Sequence, residues 1–525
     1  MPPQPALLRR FAPTNRLGAP LPARSPRRGE SVIPQSRSLT GLTSPTTRFP
    51  GRVGSGRETG RVRSAPAFAH RRQAGSSRRI GCWTLIAAAL LAADARREVQ
   101  AGASNDLRAT VVSRVNQEYP GLFDLYKHLH AHPELSFKEE QTAGRVAGEL
   151  RSLGFDVTVK VGGHGLVGVL KNGSGPAVLV RTDLDALPVK EQTDLPYASK
   201  VTAVDEHGQE VEVMHACGHD VHMTVFVGVA RLLARLQDHW KGTLVMIGQP
   251  AEERGAGARA MIKDGLFTRF PKPDYCLALH VKPDLPAGSV GWVEGYALGN
   301  VDSVDVTIRG VGGHGAWPHR TKDPVVLAAE TVLALQTIVS REIAPGEPAV
   351  VTVGSIHGGA KHNIIPDEVK LQLTLRSYTD EVRQQTIAAV NRITRGLAQA
   401  AGIPEDRLPV VTVRDEFTPA TYNDPPLTRR VAAALKAWLG DGNVVAAKPV
   451  MGGEDFSEYG RTKDKIPICL FWLGAITAES VRESLRTGKS LPSLHSSQFA
   501  PDPEPTIKTG VTAMTATVLD LMGKP

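Results

Sequence analysis

The chain has 525 residues, long enough for more than one domain, with 41% apolar and 22% charged residues, a globular rather than fibrous or disordered composition. Its net charge of +9 invites a nucleic-acid reading, but the first hundred residues carry 18 Arg, no Lys and four acids (+14), leaving −5 for the rest. A basic-surface argument for nucleic acid therefore fails for the body. Four cysteines (Cys82, Cys217, Cys276, Cys469) exclude a disulfide scaffold, and no uncharged apolar run reaches the ~18–20 residues of a membrane span, so stable membrane insertion is not expected.

Residues 1–79 are rich in Arg, Pro, Ser and Gly without helical or strand period, and are expected to be a disordered leader. Arg78-Arg79 then precede an uncharged run, Ile80 to Ala93, followed by the A-x-A-like sites Ala93-Asp94-Ala95 and Ala101-Gly102-Ala103. A basic flank and a run within the usual ~7–15 residues mark 80–105 as a signal-peptide-like segment and linker, and predict export to an exterior or periplasmic compartment. An ordinary buried helix, in a cytoplasmic protein, is the alternative.

From residue 106 helices and strands alternate. Leu122–His130 and Thr142–Leu153 have helical period, with Gly154 suited to a C-cap. Ala177–Val180, Thr243–Ile247, Tyr275–Leu279 and Ile466–Trp472 are continuous apolar runs, which predicts a mostly parallel sheet buried on both faces. Between residues 300 and 417 the order changes to βαββαβ: Val301–Arg309, Pro324–Ile343, Ala349–Ile356, Glu368–Ser377, Asp380–Ala401 and Pro409–Arg414. The helix Leu427–Leu439 and the strand Ile466–Trp472 resume the first pattern. The fold class is thus α/β: a catalytic domain (106–299 and 418–525) carrying an inserted α+β ferredoxin-like domain (300–417).

Ligands gather at the carboxyl ends of strands in such sheets. After the first apolar run, Asp183 and Asp185 share a direction if extended, though taken alone they read better as a polar turn capping the strand. Next, His215, Cys217, His219, Asp220 and His222 fall within eight residues, and a thiolate and imidazole two apart can meet one Zn²⁺-like ion. Asp220 is the expected N-cap of the helix Val221–Leu236, and the side that His222 faces is open. After the next strand, Glu252 and Glu253 point apart, so one can bind metal while the other serves as general base. His280 and His495 are further strand-end candidates, whereas His128, His130 and His132 precede Pro133 and read as helix-end and turn residues. In the insert, a Gly-rich turn presents His314 without the Lys-Ser/Thr of a phosphate loop, so an oxyanion role fits better than nucleotide binding. Asn363 and Arg376 are candidates to hold a substrate carboxylate.

Seven motifs occur in order: Arg-Thr-Asp-Leu-Asp-Ala-Leu-Pro, Met-His-Ala-Cys-Gly-His-Asp, Gln-Pro-Ala-Glu-Glu, Gly-Gly-His-Gly-Ala-Trp-Pro-His, Asn-Ile-Ile-Pro-Asp, Gly-Gly-Glu-Asp-Phe and Leu-His-Ser-Ser-Gln-Phe. Together they resemble the M20 metallopeptidase family, in its branch of hippurate hydrolases and indole-acetyl-amino-acid amidohydrolases, over roughly residues 120–520. The resemblance implies two divalent ions, Zn²⁺ or Mn²⁺, held by Cys217, His219, Glu253, His280 and His495. It makes Glu252 the base, Asp185 a carboxylate that orients the ligands, and His314 the oxyanion partner, in its own or a neighbouring subunit's site. Asn363 and Arg376 become the carboxylate recognition pair, and the insert a lid and homodimerisation domain. Gly315 departs from the family's usual Ala, adding backbone freedom beside His314. The implied function is hydrolysis of N-acyl amino acids. A carboxypeptidase or dipeptidase acting on short peptides is the alternative within the family, and a non-catalytic binding protein the alternative outside it.

Overall fold

The computed structural model describes residues 80–523 apart from Glu416, with side chains from residue 106 onward. The leader assigned to residues 1–79 lies outside the described residues. Helix α1 (Ile80–Ala131) takes in the whole signal-like run and continues through Pro120 to the expected helix at 122–130. Helix α2 (Glu140–Ser152) follows, closed by Gly154 at φ +86°, as a C-cap glycine requires.

Strands β1 (Asp156–Val159), β2 (Leu166–Asn172) and β3 (Ala177–Asp183) lead to helix α3 (His219–Arg235), then β4 (Gly242–Gln249), β5 (Tyr275–Pro286) and β6 (Val290–Trp292). The second region supplies β7 (Asn300–Arg309), α4 (Pro324–Thr337), β8 (Ala349–Gly358), β9 (Glu368–Ser377), α5 (Asp380–Ala400) and β10 (Val410–Val413). The chain returns through α6 (Pro425–Leu439), β11 (Val444–Ala446), β12 (Ile468–Ile476) and α7 (Pro503–Met522).

The large sheet has the order β1-β2-β4-β3-β5-β12-β6-β11, and its centre, β4-β3-β5-β12, is parallel throughout. All nine residues of β12 are buried, as a strand covered on both faces demands. On one face α3 crosses α7 at close range. A Cβ on Gly228 would lie 2.5 Å from Val511 Cγ2, and one on Gly510 2.7 Å from Val225 Cγ2, so only glycine permits this approach. The second sheet is antiparallel with order β8-β9-β7-β10, and β7 alternates buried and half-buried residues over its full length. That order is the one a βαββαβ unit produces when it closes.

Three expectations need correction. The apolar run ending at Leu279 continues as strand to Pro286, because β12 pairs with β5 as far as Ile476, so His280 lies inside a strand rather than at its end. The helix expected over Pro324–Ile343 is α-helical only to Thr337 and finishes in a π turn, Ile338–Glu342. By length and composition this combined segment could cross a membrane, yet Leu327, Ala328, Leu335 and Ile338 pack into the core of the second sheet. Asp220 is not the N-cap of α3: Gly218 occupies that position and Asp220 lies in the first turn.

Candidate active site

The parallel strands deliver their following residues to one end of the large sheet, where a cavity of about 540 Å³ opens. Cys217, Glu252, Glu253, His280 and His495 line it from the large-sheet region, and Arg376 lines it from the second sheet.

Asp185 is fully buried just beyond β3. Its Oδ2 accepts from Ser136 Oγ at 2.6 Å and from the Glu253 N–H at 3.0 Å, tying three segments together. Its backbone carbonyl accepts from His219 Nδ1 at 2.8 Å, which leaves Nε2 as the free lone-pair nitrogen. That Nε2 is buried without a protein partner, 3.6 Å from Asp183 Oδ2, 3.8 Å from Glu253 Oε1 and 3.9 Å from Glu252 Oε2. Burial works against charge on His219, yet Asp183, Asp185 and Glu253 raise its pKa to about 10. The surroundings therefore favour positive charge at Nε2.

Gly218 sets the ligand spacing. At φ +80° it turns the backbone between Cys217 and His219, and a Cβ there would lie 2.6 Å from Val281 Cγ2. Cys217 Sγ is 3.4 Å from His280 Nε2, whose Nδ1 is engaged by the Val281 carbonyl at 2.8 Å. His495 Nε2 is 3.5 Å from Glu253 Oε2 and is held at φ +65°, an uncommon conformation for a non-glycine residue. Two groups of donor atoms, Cys217–His219–His280 and Cys217–Glu253–His495, each lie within 4.8 Å of one another and share the thiol. Burial, then Glu253 and Glu252, push that thiol up, and burial brings Glu253 to about 7. Sulfur, imidazole and carboxylate donors, with His219 Nε2 and Glu253 Oε1 both buried and unpartnered, fit divalent ions of the Zn²⁺ type.

The neighbouring candidates are accounted for otherwise. His222 accepts the Val281 N–H at Nε2 (2.9 Å), so its Nδ1–H donates to Asp183 Oδ1 (2.8 Å) and neither nitrogen is free. Asp183 also accepts from Arg181 Nη1 at 2.7 Å. Of the three upstream histidines, His132 closes the turn on the His128 carbonyl, as a helix-end residue should. His130 goes beyond that reading: it is buried and bridges Asp220 Oδ2 (2.7 Å) and Glu191 Oε1 (2.9 Å).

Glu252 follows Ala251, whose φ of +48° is strained for alanine. Buried Glu139 secures that turn, accepting the Ala251 N–H at 2.8 Å. Burial, followed by Glu454, Glu253 and Asp455, raises Glu252 well above an ordinary carboxyl. Behind it Arg181 sits wholly buried among Asp183, Glu454 Oε1 (2.9 Å), Asp455 Oδ1 (3.4 Å) and Gln249 Oε1 (3.0 Å). Sequence reading gave Glu454, Asp455, Glu139 and Ser136 no role. A signal was present in Arg181, since an arginine directly after a buried apolar run must meet acids elsewhere in the chain.

The second region contributes unevenly. Arg376 is half-buried, donating to Thr374 Oγ1 at 3.0 Å and to the Met451 carbonyl at 3.4 Å. His314 and Asn363 are exposed and do not line the cavity. They lie together where Gly313–His314 pairs with Ile364–Ile365 and the Gly315 N–H meets the Asn363 carbonyl at 2.9 Å. The Ala316 N–H donates to His314 Nδ1 at 3.1 Å, so Nε2 carries the proton, the form that can donate to an oxyanion.

Residues 179–493 match the model of Peptidase family M20/M25/M40. Thermostable carboxypeptidase 1 of Saccharolobus solfataricus is 34% identical over 412 residues, covering 78% of this chain and 97% of that one. The hippurate hydrolase of Campylobacter jejuni is 37% identical over 339 residues, 64% of this chain and 84% of its own. The crystal structure of the Bacillus subtilis YXEP protein, a dinuclear metal-binding peptidase from the M20 family, superposes with a TM-score of 0.61 at 29% identity, covering 77% of this chain and 98% of that one.

Proposed function

The chain belongs to peptidase family M20/M25/M40, and on that premise we propose that it is a metal-dependent amidohydrolase that cleaves the amide bond of N-acyl amino acids. The observation that carries the reading is the pair of donor groups sharing Cys217, with Glu252 beside them in the same cavity. Two divalent ions, Zn²⁺ or Mn²⁺, held by Cys217, His219, Glu253, His280 and His495 would polarise the scissile carbonyl and lower the pKa of the attacking water towards ~7.

Glu252 takes the water's proton and returns it to the leaving amine nitrogen. Burial, with Glu454, Glu253 and Asp455 around it, raises its pKa above that of an ordinary carboxyl, the direction that makes its carboxylate a stronger base. Asp185 positions rather than reacts, fixing His219 through its carbonyl and Glu253 through its carboxylate. Arg376, at the second-region end of the cavity, receives the amino-acid carboxylate; Asn363, which lies beside His314 outside that cavity, would join it from the neighbouring subunit.

His314 serves the oxyanion from the neighbouring subunit of a homodimer formed through the inserted domain. Exposure of Val325, Val326 and Leu333 on α4 supports such an interface. The insert (300–417) then acts as lid and dimerisation domain on the catalytic domain (106–299 and 418–525). Export is proposed from the run Ile80–Ala93. Mass spectrometry of the native N-terminus checks it: a start after residue 93 is expected, and peptides from residues 1–70 would contradict it.

A panel of N-acyl amino acids and dipeptides on metal-loaded protein tests the function. Hydrolysis of hippurate-like substrates with little dipeptide cleavage is expected. The reverse preference would assign the chain to the carboxypeptidase or dipeptidase reading, and no turnover of either class would leave a binding protein.

A further inference from the structure

Residues 134–139 join α1 to α2, and none of them lines the reaction cavity. They nevertheless hold the two segments that carry its carboxylates. The Glu134 carbonyl accepts the Ala186 N–H at 2.8 Å and Leu135 bridges Ala186, which fastens the chain just beyond Asp185. Ser136 Oγ donates to Asp185 Oδ2. Glu139 reaches the other segment, where Ala251 precedes Glu252 and Glu253. The link itself is seated on the first turn of α2, because the Glu134 carboxylate accepts the Gln141 and Thr142 N–H groups at 3.2 and 2.8 Å.

Glu139 Oε1 is the shared acceptor of two strained turns. It takes the Phe137 N–H and the Ala251 N–H, each at 2.8 Å, and both residues stand in the left-handed region, at φ +62° and +48°. That region costs a non-glycine residue about 1–2 kcal/mol, so each turn needs a partner that holds it. Beyond Ala251 the Gly255 N–H closes on the Glu252 carbonyl at 2.7 Å and the Gly257 N–H on the Ala251 carbonyl at 3.1 Å. The backbone angle at Ala251 therefore decides where the Glu252 side chain starts. Glu139 is fully buried, and its Oε2 has no protein partner. Burial, then Asp185, raises its pKa to about 8, which leaves it largely uncharged at neutral pH and still able to accept at Oε1.

We propose that residues 134–139 are a bracket outside the cavity in which Glu139 is a positioning residue for the base: the reach of its side chain fixes the Ala251 turn and so aims the Glu252 carboxylate, while Ser136 fixes Asp185. The inference rests on the amidohydrolase reading and adds positioning residues to it. What matters at position 139 is an acceptor oxygen at the length of a glutamate side chain, not its charge.

The test is kcat and KM for a hippurate-like substrate on full-length, metal-loaded Glu139→Gln, Glu139→Asp and Glu139→Ala, with Tm and elemental analysis for each. Gln keeps an acceptor at the same reach, whereas Asp keeps the carboxyl but is one methylene short. Asp and Ala should lower kcat by about 10–10²-fold, the cost of a base displaced by about 1 Å, with metal retained. Their kcat/KM should fall in parallel, and Gln should recover most of the loss. Ala251→Gly added to Glu139→Ala should also regain part of kcat, since glycine adopts the turn without being held. If Glu139→Ala fails to fold, the comparison of Gln with Asp carries the test. Wild-type kcat in the Asp variant, a Gln variant as impaired as Asp, or a fall in kcat that follows lost metal overturns this inference and leaves the amidohydrolase reading intact. Wild-type enzyme that hydrolyses no N-acyl amino acid overturns both.

Discussion

The large-sheet wall of the cavity and the second-region residues near it are built in opposite ways. Cys217, His219, Asp185 and Glu252 are buried and fixed by strand ends, a left-handed glycine and hydrogen bonds from three separate segments. His314 and Asn363 are exposed on a short strand pair and reach no group in the cavity. The first set supplies chemistry that tolerates little displacement, and a rigid sheet edge provides it. In the proposed function the second set would meet groups that arrive with substrate, so it can stay apart until an encounter brings it in.

The largest effect expected from this contrast is on the rigid side. Glu252→Ala should lower kcat by about 10²–10⁴-fold while elemental analysis shows metal content retained. Near-normal turnover would remove Glu252 from the role of base. Arg181→Met should destabilise the fold by about 3–5 kcal/mol in denaturant titration, because it leaves Asp183, Glu454 and Asp455 buried without their cation.

On the exposed side His314→Ala should cost about 10²–10³-fold in kcat, the value of one oxyanion donor, with no change in Tm. Mixing His314→Ala with Glu252→Ala protein sharpens the comparison. Subunit exchange should restore part of the activity if His314 acts across a dimer, and restore none if it acts within its own chain. Arg376→Ala should weaken kcat/KM by about 1.5–3 kcal/mol, mainly through KM.

A separate effect concerns stability against pH. Burial opposes charge on His130, but its bonds to Asp220 and Glu191 raise its pKa to about 10. Its stabilisation is therefore complete below the unfolded value near 6.5 and is lost as pH rises through about 10. Tm should fall across that window in the wild type and fall less in His130→Gln.

Much of the rigid half was legible in the sequence, because continuous apolar runs mark the buried strands and chemistry follows each one. The corrections arise where a distant partner decides. β5 outlasts its apolar run since β12 continues to pair with it, which puts His280 within a strand. Asp220 lost the N-cap to Gly218 because only a left-handed glycine clears Val281. Arg181 and the Glu454-Asp455 pair are more than 270 residues apart, and no local pattern joins them. For His314 and Asn363 the motif supplied the residue type, while their distance from the cavity is set by how the two sheets are joined.

The most direct test of the central claim is a metal titration of chelator-stripped enzyme, following hippurate hydrolysis. The account predicts negligible turnover without metal, recovery on adding Zn²⁺ or Mn²⁺, and a break near two equivalents per chain. Full hydrolysis by the stripped protein, with no response to added ion, would contradict it.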